Sequence, residues 1–317
     1  MWQERQAETL RDEIGAVLVY LSDVVGLYTL VKEPLTKARR GLAVDTAHSP
    51  PWPLLPLIVC EAVSRHYEQA LPAAAALQLL MAAGDVFDDI EDADSSESLL
   101  ARYGSAVATN VATTLLILAQ RAIVRLKGRG VENRVIVCVM DAVSSFYTTA
   151  CTGQHLDLSL ASDKPVPEDI YLRAISLKSA SQVECSCHVA ALLANASQEL
   201  IDTFTLFGHN LGMAAQITND IQGITKGNDI LKRTITLPII YALTQTDGKS
   251  RNQFESVFGK QSESNPDPVR IRDLLFRCGA IHYATIKMEF YKQRALDILS
   301  EAEEAGASVE RLKIFLK

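Results

Sequence analysis

The sequence predicts an all-α protein, a bundle of ten or more helices forming one domain over residues 1–317. Three observations carry this expectation. Apolar residues recur at helical spacing through long segments, as in Ile14, Val17, Leu18, Leu21 and Val25. Alternating strand patterns are missing, and β-branched residues fall within helical periods. Proline and acids stand where helices should begin, as in Pro165-Val-Pro167-Glu168-Asp169.

Taken in order, residues 4–32 read as one helix with a long apolar face. Lys37-Ala-Arg39-Arg40 is a basic turn, and the stretch from His48 to Pro56 is a proline-rich break. Helices are expected over 54–67 and 72–92, with Ser95, Ser96 and Glu97 as loop and N-cap before a helix over 101–126. The uncharged centre of that helix, 106–118, should be buried on most sides. Further helices are expected over 131–157, 171–194, 198–223 and from Thr236 to Leu243. Residues 244–268 are polar, with Asp247-Gly248 and Asn265-Pro-Asp-Pro268, and read as a mobile loop. A last helix pair covers about 269–305.

Hydrophobic residues make up 48% of the chain, enough for a sizeable core. The net charge of -7 argues against a nucleic-acid partner, which would require a basic face. Cys60, Cys138, Cys151, Cys185, Cys187 and Cys278 sit in apolar stretches and read as small buried hydrophobes in a reducing compartment. No secretory signal is visible, and no window reaches the roughly 18 uncharged apolar residues of a membrane span. The expected location is the cytoplasm, with no transmembrane segment.

The most informative stretch runs from Gly84 to Asp94. It holds six acidic side chains directly after the apolar run 71–83. On a helix, Asp85, Asp88, Asp89 and Asp92 share one face. They close an apolar helix at its C-terminal end, against the macrodipole. A hard divalent cation with oxygen ligands, Mg²⁺ above all, would neutralise them.

A second set surrounds Gln216, Asn219 and Asp220, again at the end of an apolar helix, and Lys226, Lys232 and Arg233 follow at once. Two such helices can face each other across a bundle and hold Mg²⁺, while the basic residues and Lys178 bind a polyanion such as a diphosphate. The lining would come from apolar helices, so the expected site is a deep greasy pocket with a metal–diphosphate mouth.

Asp88-Asp89-Ile90-Glu91-Asp92 has the form DDxxD. Together with Gly153-Gln154-His-Leu-Asp157, Lys178-Ser179, Gln216-x-x-Asn219-Asp220 and Thr236-Leu237-Pro238, it resembles the trans-prenyltransferase (polyprenyl diphosphate synthase) family. The resemblance implies the isoprenoid synthase fold, an allylic prenyl diphosphate substrate, a homodimer and three Mg²⁺ ions. It implies that Asp88, Asp89 and Asp92 act in ionising the diphosphate, Asp88 and Asp92 as ligands of the first metal pair. Asp220 would be a ligand of the third ion, supported by Asn219, Gln154 and Gln216. Lys178, with Lys226, Lys232 and Arg233, would bind the diphosphate. Asp85, Phe87, Phe146 and Tyr147 are expected at the pocket.

The departures from the family pattern bear on function. Chain-elongating members bind isopentenyl diphosphate through a Gly-Lys-x-x-Arg-Pro segment, a His before DDxxD and an Arg pair after it. Here the first segment reads Pro50-Pro51-Trp52-Pro53, Met81 stands at the His position, and Ser95-Ser96-Glu97 follows the acids. The second acidic motif ends in Gly223. With those cations missing, the sequence favours a terpene synthase (cyclase) that releases diphosphate and a hydrocarbon or alcohol. The alternatives are a prenyl diphosphate synthase, a ComQ-like peptide prenyltransferase, or a catalytically inactive partner of an active synthase.

Overall fold

The computed structural model describes residues 2–37, 40–44, 50–91, 97–160, 166–246, 248–258 and 266–317. Among these there are fourteen α-helices and no strand, so the all-α expectation holds.

The helices are α1 (Trp2–Leu18), α2 (Val25–Leu35), α3 (Leu55–Ser64), α4 (Leu71–Glu91), α5 (Leu99–Val124), α6 (Asn133–Leu160) and α7 (Glu168–Ile175). They continue with α8 (Ser181–Leu193), α9 (Gln198–Lys226), α10 (Asn228–Lys232), α11 (Leu237–Gln245), α12 (Gly248–Phe258), α13 (Pro268–Arg277) and α14 (Ala280–Glu304). The expected first helix is in fact two, parted by a 3₁₀ turn over Val19–Leu21. The N-cap of α5 is Ser98, whose hydroxyl accepts from the Ala101 N–H at 3.1 Å. Gly104, at φ 78°, kinks α5 in its first turns. The polar stretch read as a mobile loop contains α12, while Asp247 and residues 259–265 lie outside the described residues.

The chain divides into two compact units. One comprises Met1–Val143, Ser186–Phe204 and Glu301–Lys317, the other Ser144–Cys185 and Thr205–Ser300.

In the first unit α4 is the central element. It packs along α5 and against α1 and α2. Its sequence explains this. Pro72 sits in the first turn, where a missing N–H costs nothing, and the Ala- and Leu-rich run after it is buried nearly all round. Glu13 of α1 is buried against Arg125 and Arg129, 2.6 and 2.7 Å away, which anchors the end of α5. The C-terminal segment returns to α3, where Ser308 N–H donates to the Ala62 carbonyl and Arg311 pairs with Glu61 at 2.6 Å.

In the second unit two apolar clusters organise the helices. One gathers Tyr171, Ile175, Met213, Ile217, Leu237 and Ile240. The other gathers Ile224, Ile230, Ile239, Phe254, Ile271 and Leu275. Between α7 and α8 the chain makes one π-helical turn, Ser176–Ala180. Glycines close on this segment from two elements. A Cβ on Gly153 of α6 would lie 2.2 Å from Lys178 N, and one on Gly212 of α9 would lie 2.6 Å from Ala180 Cα. At Gly208 the Val183 carbonyl would be 2.8 Å away. Only hydrogen fits at these three positions with the backbones where they are.

Three helical stretches, Glu68–Glu91, Leu99–Arg129 and Asn133–Ser159, are long and apolar enough to cross a membrane by length and composition alone. This corrects the expectation that no window would qualify, because strong hydropathy outweighs the few polar side chains in these windows. The first is a core helix, 72% buried within the protein. On α5 and the start of α6, Ile117, Val124, Val137 and Met140 are exposed instead.

All six cysteines are free, as expected, but only Cys60, Cys185 and Cys187 are buried; Cys138 and Cys151 are exposed on α6, which corrects the expectation that all six are core residues.

Candidate active site

In the first unit, α4 carries Asp85, Phe87, Asp88 and Asp89, all half-buried. Asp92 lies outside the described residues, as do Asp94, Ser95 and Ser96. The repulsion inferred for this acidic stripe is met in part by the protein itself. Arg40 donates to both oxygens of Asp85, from Nε to Oδ2 at 2.7 Å and from Nη2 to Oδ1 at 2.5 Å. Lys37 Nζ lies 3.3 Å from Asp89 Oδ2. The turn after α2 is pinned there by Gly41, where a Cβ would meet Ile14 Cδ1 at 2.5 Å and Gln78 Cγ at 3.1 Å.

Lys37 and Arg40 have the Lys-x-x-Arg spacing of the family's Gly-Lys-x-x-Arg-Pro segment. They lack the Gly before and the Pro after, and they precede the residues that the segment Pro50–Pro53 occupies. Two cations nevertheless stand beside the acidic helix. Met81 at the His position, and the absence of an Arg pair after the acids, remain true departures.

In the second unit the remaining motifs converge. Lys178, on the π-helical turn, places Nζ 2.9 Å from Asp157 Oδ2. Ser179 Oγ donates to Gln216 Oε1 at 2.9 Å, and Gln216 Nε2 donates to Asp220 Oδ1 at 3.0 Å. Asp220 Oδ2 also accepts from the Tyr171 hydroxyl and from the Leu237 N–H. Asp220 is only 3% exposed. Burial pushes its carboxyl up to about 7, against the lowering effect of these three donors. Burial, then the Asp220 charge, pushes the Tyr171 hydroxyl well above its ordinary range.

This geometry departs from the expected role of Asp220 as a metal ligand, because its oxygens are enclosed and already accept three hydrogen bonds. Its neighbour Asn219 is exposed. Gln154, Phe146 and Tyr147 are half-buried on α6. Lys226 and Lys232 are exposed at the ends of α9 and α10, and Arg233 is half-buried in the left-handed region at φ 57°. Tyr171 is not among the expected site residues. It lies in a helical apolar period, and nothing in its spacing distinguishes it from a core aromatic.

Among the described residues no three His, Cys, Asp or Glu side chains form a ready metal cage. The donor set at the end of α4 is all carboxylate oxygen, which fits Mg²⁺ rather than a softer metal.

An apolar helix that ends in acids, the Lys178–Asp157 pair, and the buried network from Ser179 through Gln216 and Asp220 to Leu237 join the motifs that the resemblance rests on. The family model described as Polyprenyl synthetase matches residues 52–273, and the chain belongs to that family of prenyltransferases. It is 27% identical over 285 residues to the geranylgeranyl diphosphate synthase of Methanosarcina mazei, covering 86% of this chain and 83% of that relative. It is 26% identical over 251 residues to the tryptophan prenyltransferase ComQ of Bacillus spizizenii, covering 78% and 82%. The crystal structure of geranylgeranyl pyrophosphate synthetase from Pyrococcus horikoshii shares the fold, with a TM-score of 0.83 at 23% identity over 99% of this chain and 97% of that one.

Proposed function

We propose that the protein is a prenyl diphosphate synthase, extending an allylic prenyl diphosphate with isopentenyl diphosphate. The observation that carries this is the position of Lys37 and Arg40 on Asp89 and Asp85. Arg40 has five donor N–H groups, and Asp85 engages two of its nitrogens, so capacity remains for a second diphosphate. The relatives named above are synthases and a tryptophan prenyltransferase. They support transfer to an acceptor better than the cyclisation that the sequence alone favours.

In this reading the C1–O bond of the allylic substrate breaks with its electron pair leaving on the diphosphate. The double bond of the acceptor supplies the pair for the new C–C bond. The cation left on the acceptor gives up a proton to the released diphosphate, and the C–H electron pair forms the new double bond. Mg²⁺, when bound, would offset charge on the leaving diphosphate. In the first unit Asp88 and Asp89 of α4, with Asp92 after it in the sequence, would hold such ions; in the second, Asn219 rather than Asp220 would offer an oxygen to them. Lys178, Lys226, Lys232 and Arg233 would bind phosphate oxygens. Phe87 in the first unit, and Phe146 and Tyr147 in the second, are apolar groups suited to keeping water from the cation.

We further propose a cytoplasmic homodimer built from one domain per chain. The divisions between the compact units fall inside α6, α8, α9 and α14 rather than in linkers, which supports one domain. The exposed apolar side chains of α5 and α6 suit a second copy.

The test is incubation with Mg²⁺ and a panel of allylic diphosphates, with and without isopentenyl diphosphate. Longer prenyl diphosphates that form only when isopentenyl diphosphate is present support the synthase. Hydrocarbon or terpene alcohol from the allylic substrate alone would restore the cyclase. Transfer to tryptophan in a peptide is the second reading, favoured by the similarity to ComQ and by the Asn219-Asp220 pair.

A further inference from the structure

Gly223 stands where the second acidic motif of the family has its last acid. It lies on α9, four residues after Asn219 and three after Asp220, so it belongs to the same face. The space beside it is filled. A Cβ built on Gly223 would lie 2.0 Å from Oδ2, 2.4 Å from Cγ and 2.6 Å from Oδ1 of Asp229. The Asp229 carboxylate therefore occupies the place from which a side chain at 223 would project.

The local chain explains how Asp229 gets there. α9 stops at Lys226, and Gly227 reverses the backbone at φ 84°. A Cβ on Gly227 would meet Pro268 Cβ at 2.9 Å, so this tight reversal excludes a side chain. The next residues return along α9 as the short α10, and Thr234 N–H donates to the Asp229 carbonyl at 2.9 Å. Asp229 is half-buried, and its charge acts on Asp220. The same return brings in Leu237, whose N–H binds Asp220, just after Thr236. The Thr236 hydroxyl is buried with no partner among the described residues, so a polar acceptor or donor is wanting here.

We propose that Asp229 stands in for the acid that α9 lacks, and that its carboxylate completes, with Asn219, the oxygen donors for a Mg²⁺–diphosphate group. This rests on the synthase reading above. It assigns to a residue on α10 the role that the motif gives to α9, and it makes Gly223 a requirement of that arrangement.

The test is isothermal calorimetry of inorganic diphosphate binding in the presence and absence of Mg²⁺, with melting midpoints as the control for folding. Asp229→Asn keeps size and shape and should weaken Mg²⁺-dependent binding by about tenfold or more, as loss of a metal-supporting carboxylate does. Gly223→Asp in an Asp229→Ala background should return the affinity to the wild-type range, because the space is then open to an acid from α9. Unchanged affinity in Asp229→Asn overturns the inference and leaves the synthase reading intact. Loss without recovery in the double variant also overturns it, since Asp229 then acts otherwise than as a substitute. If the wild type binds diphosphate with no dependence on Mg²⁺, the synthase reading fails and the inference with it.

Discussion

Arg40 and Asp85 form a two-pronged pair, 2.7 and 2.5 Å, between the turn after α2 and the acidic face of α4. The pair joins residues 45 positions apart and presets a cation beside the aspartates. In a chain-elongating enzyme that cation should be felt by one substrate only. Arg40→Ala is expected to raise KM for isopentenyl diphosphate about tenfold or more, the effect of losing a charged hydrogen bond of roughly 1.5–3 kcal/mol. KM for the allylic substrate should stay near wild type. Steady-state kinetics with each substrate varied in turn checks this, and equal effects on both would remove Arg40 from an acceptor site.

Asp88→Ala should lower turnover by about a hundredfold or more, on the scale of losing one preorganised charge-stabilising group. The melting midpoint is the control for folding, and Asp85 and Asp89 keep their partners Arg40 and Lys37 in this variant. Wild-type turnover in a folded Asp88→Ala protein would sink the metal assignment at α4.

Asp220 gives a pH dependence whose sign is set by burial. Its folded-state value, about 7, lies above the ordinary carboxyl value of 3.8. The folded state therefore holds a proton that the unfolded state has released between those values. Its stabilising contribution is fully present below 3.8 and is lost as pH rises through about 7. Urea unfolding without Mg²⁺ should show the wild type losing stability between pH 5 and pH 8 relative to Asp220→Asn, each pH being roughly one unit or more from the two limits. Parallel pH curves for the two proteins would contradict the buried placement of this carboxyl.

Gly153→Ala should destabilise the protein by about 1–3 kcal/mol, the usual scale of overpacking. The added methyl meets the backbone of Lys178 rather than a movable side-chain end, so relief requires the π-helical turn to shift. The same change should weaken diphosphate binding, because Lys178 rides on that turn. Chemical denaturation and diphosphate titration measure the two effects separately.

Much of the fold was legible because helix periodicity is local. Acids closing the apolar run of α4 could be read directly, whereas Asn219 and Asp220, read as a helix end, lie inside α9, which runs on to Lys226. What escaped depends on contacts distant in sequence or on the backbone. Lys37 and Arg40 are plainly basic, but their pairing with α4 is not encoded in any period. The enclosure of Asp220 needs Tyr171 and Leu237, which come from other elements and look like ordinary core. Gly223 reads as a lost acid, and only the returning chain reveals that another carboxylate fills its place. α12 was hidden by a composition that resembles a loop, although its Phe254 is fully buried.

The three glycines around residues 177–184 set a limit on how this protein can diversify. On the synthase reading, products of different length call for changed side chains at the proposed lining positions, such as Phe87, Phe146 and Tyr147, and these are positions that can vary. Gly153, Gly208 and Gly212 cannot, since any side chain there collides with main-chain atoms. In a saturation library selected for folding, those three columns should be nearly empty while the lining columns fill. Specificity can then drift on a scaffold whose π-helical turn is held in place.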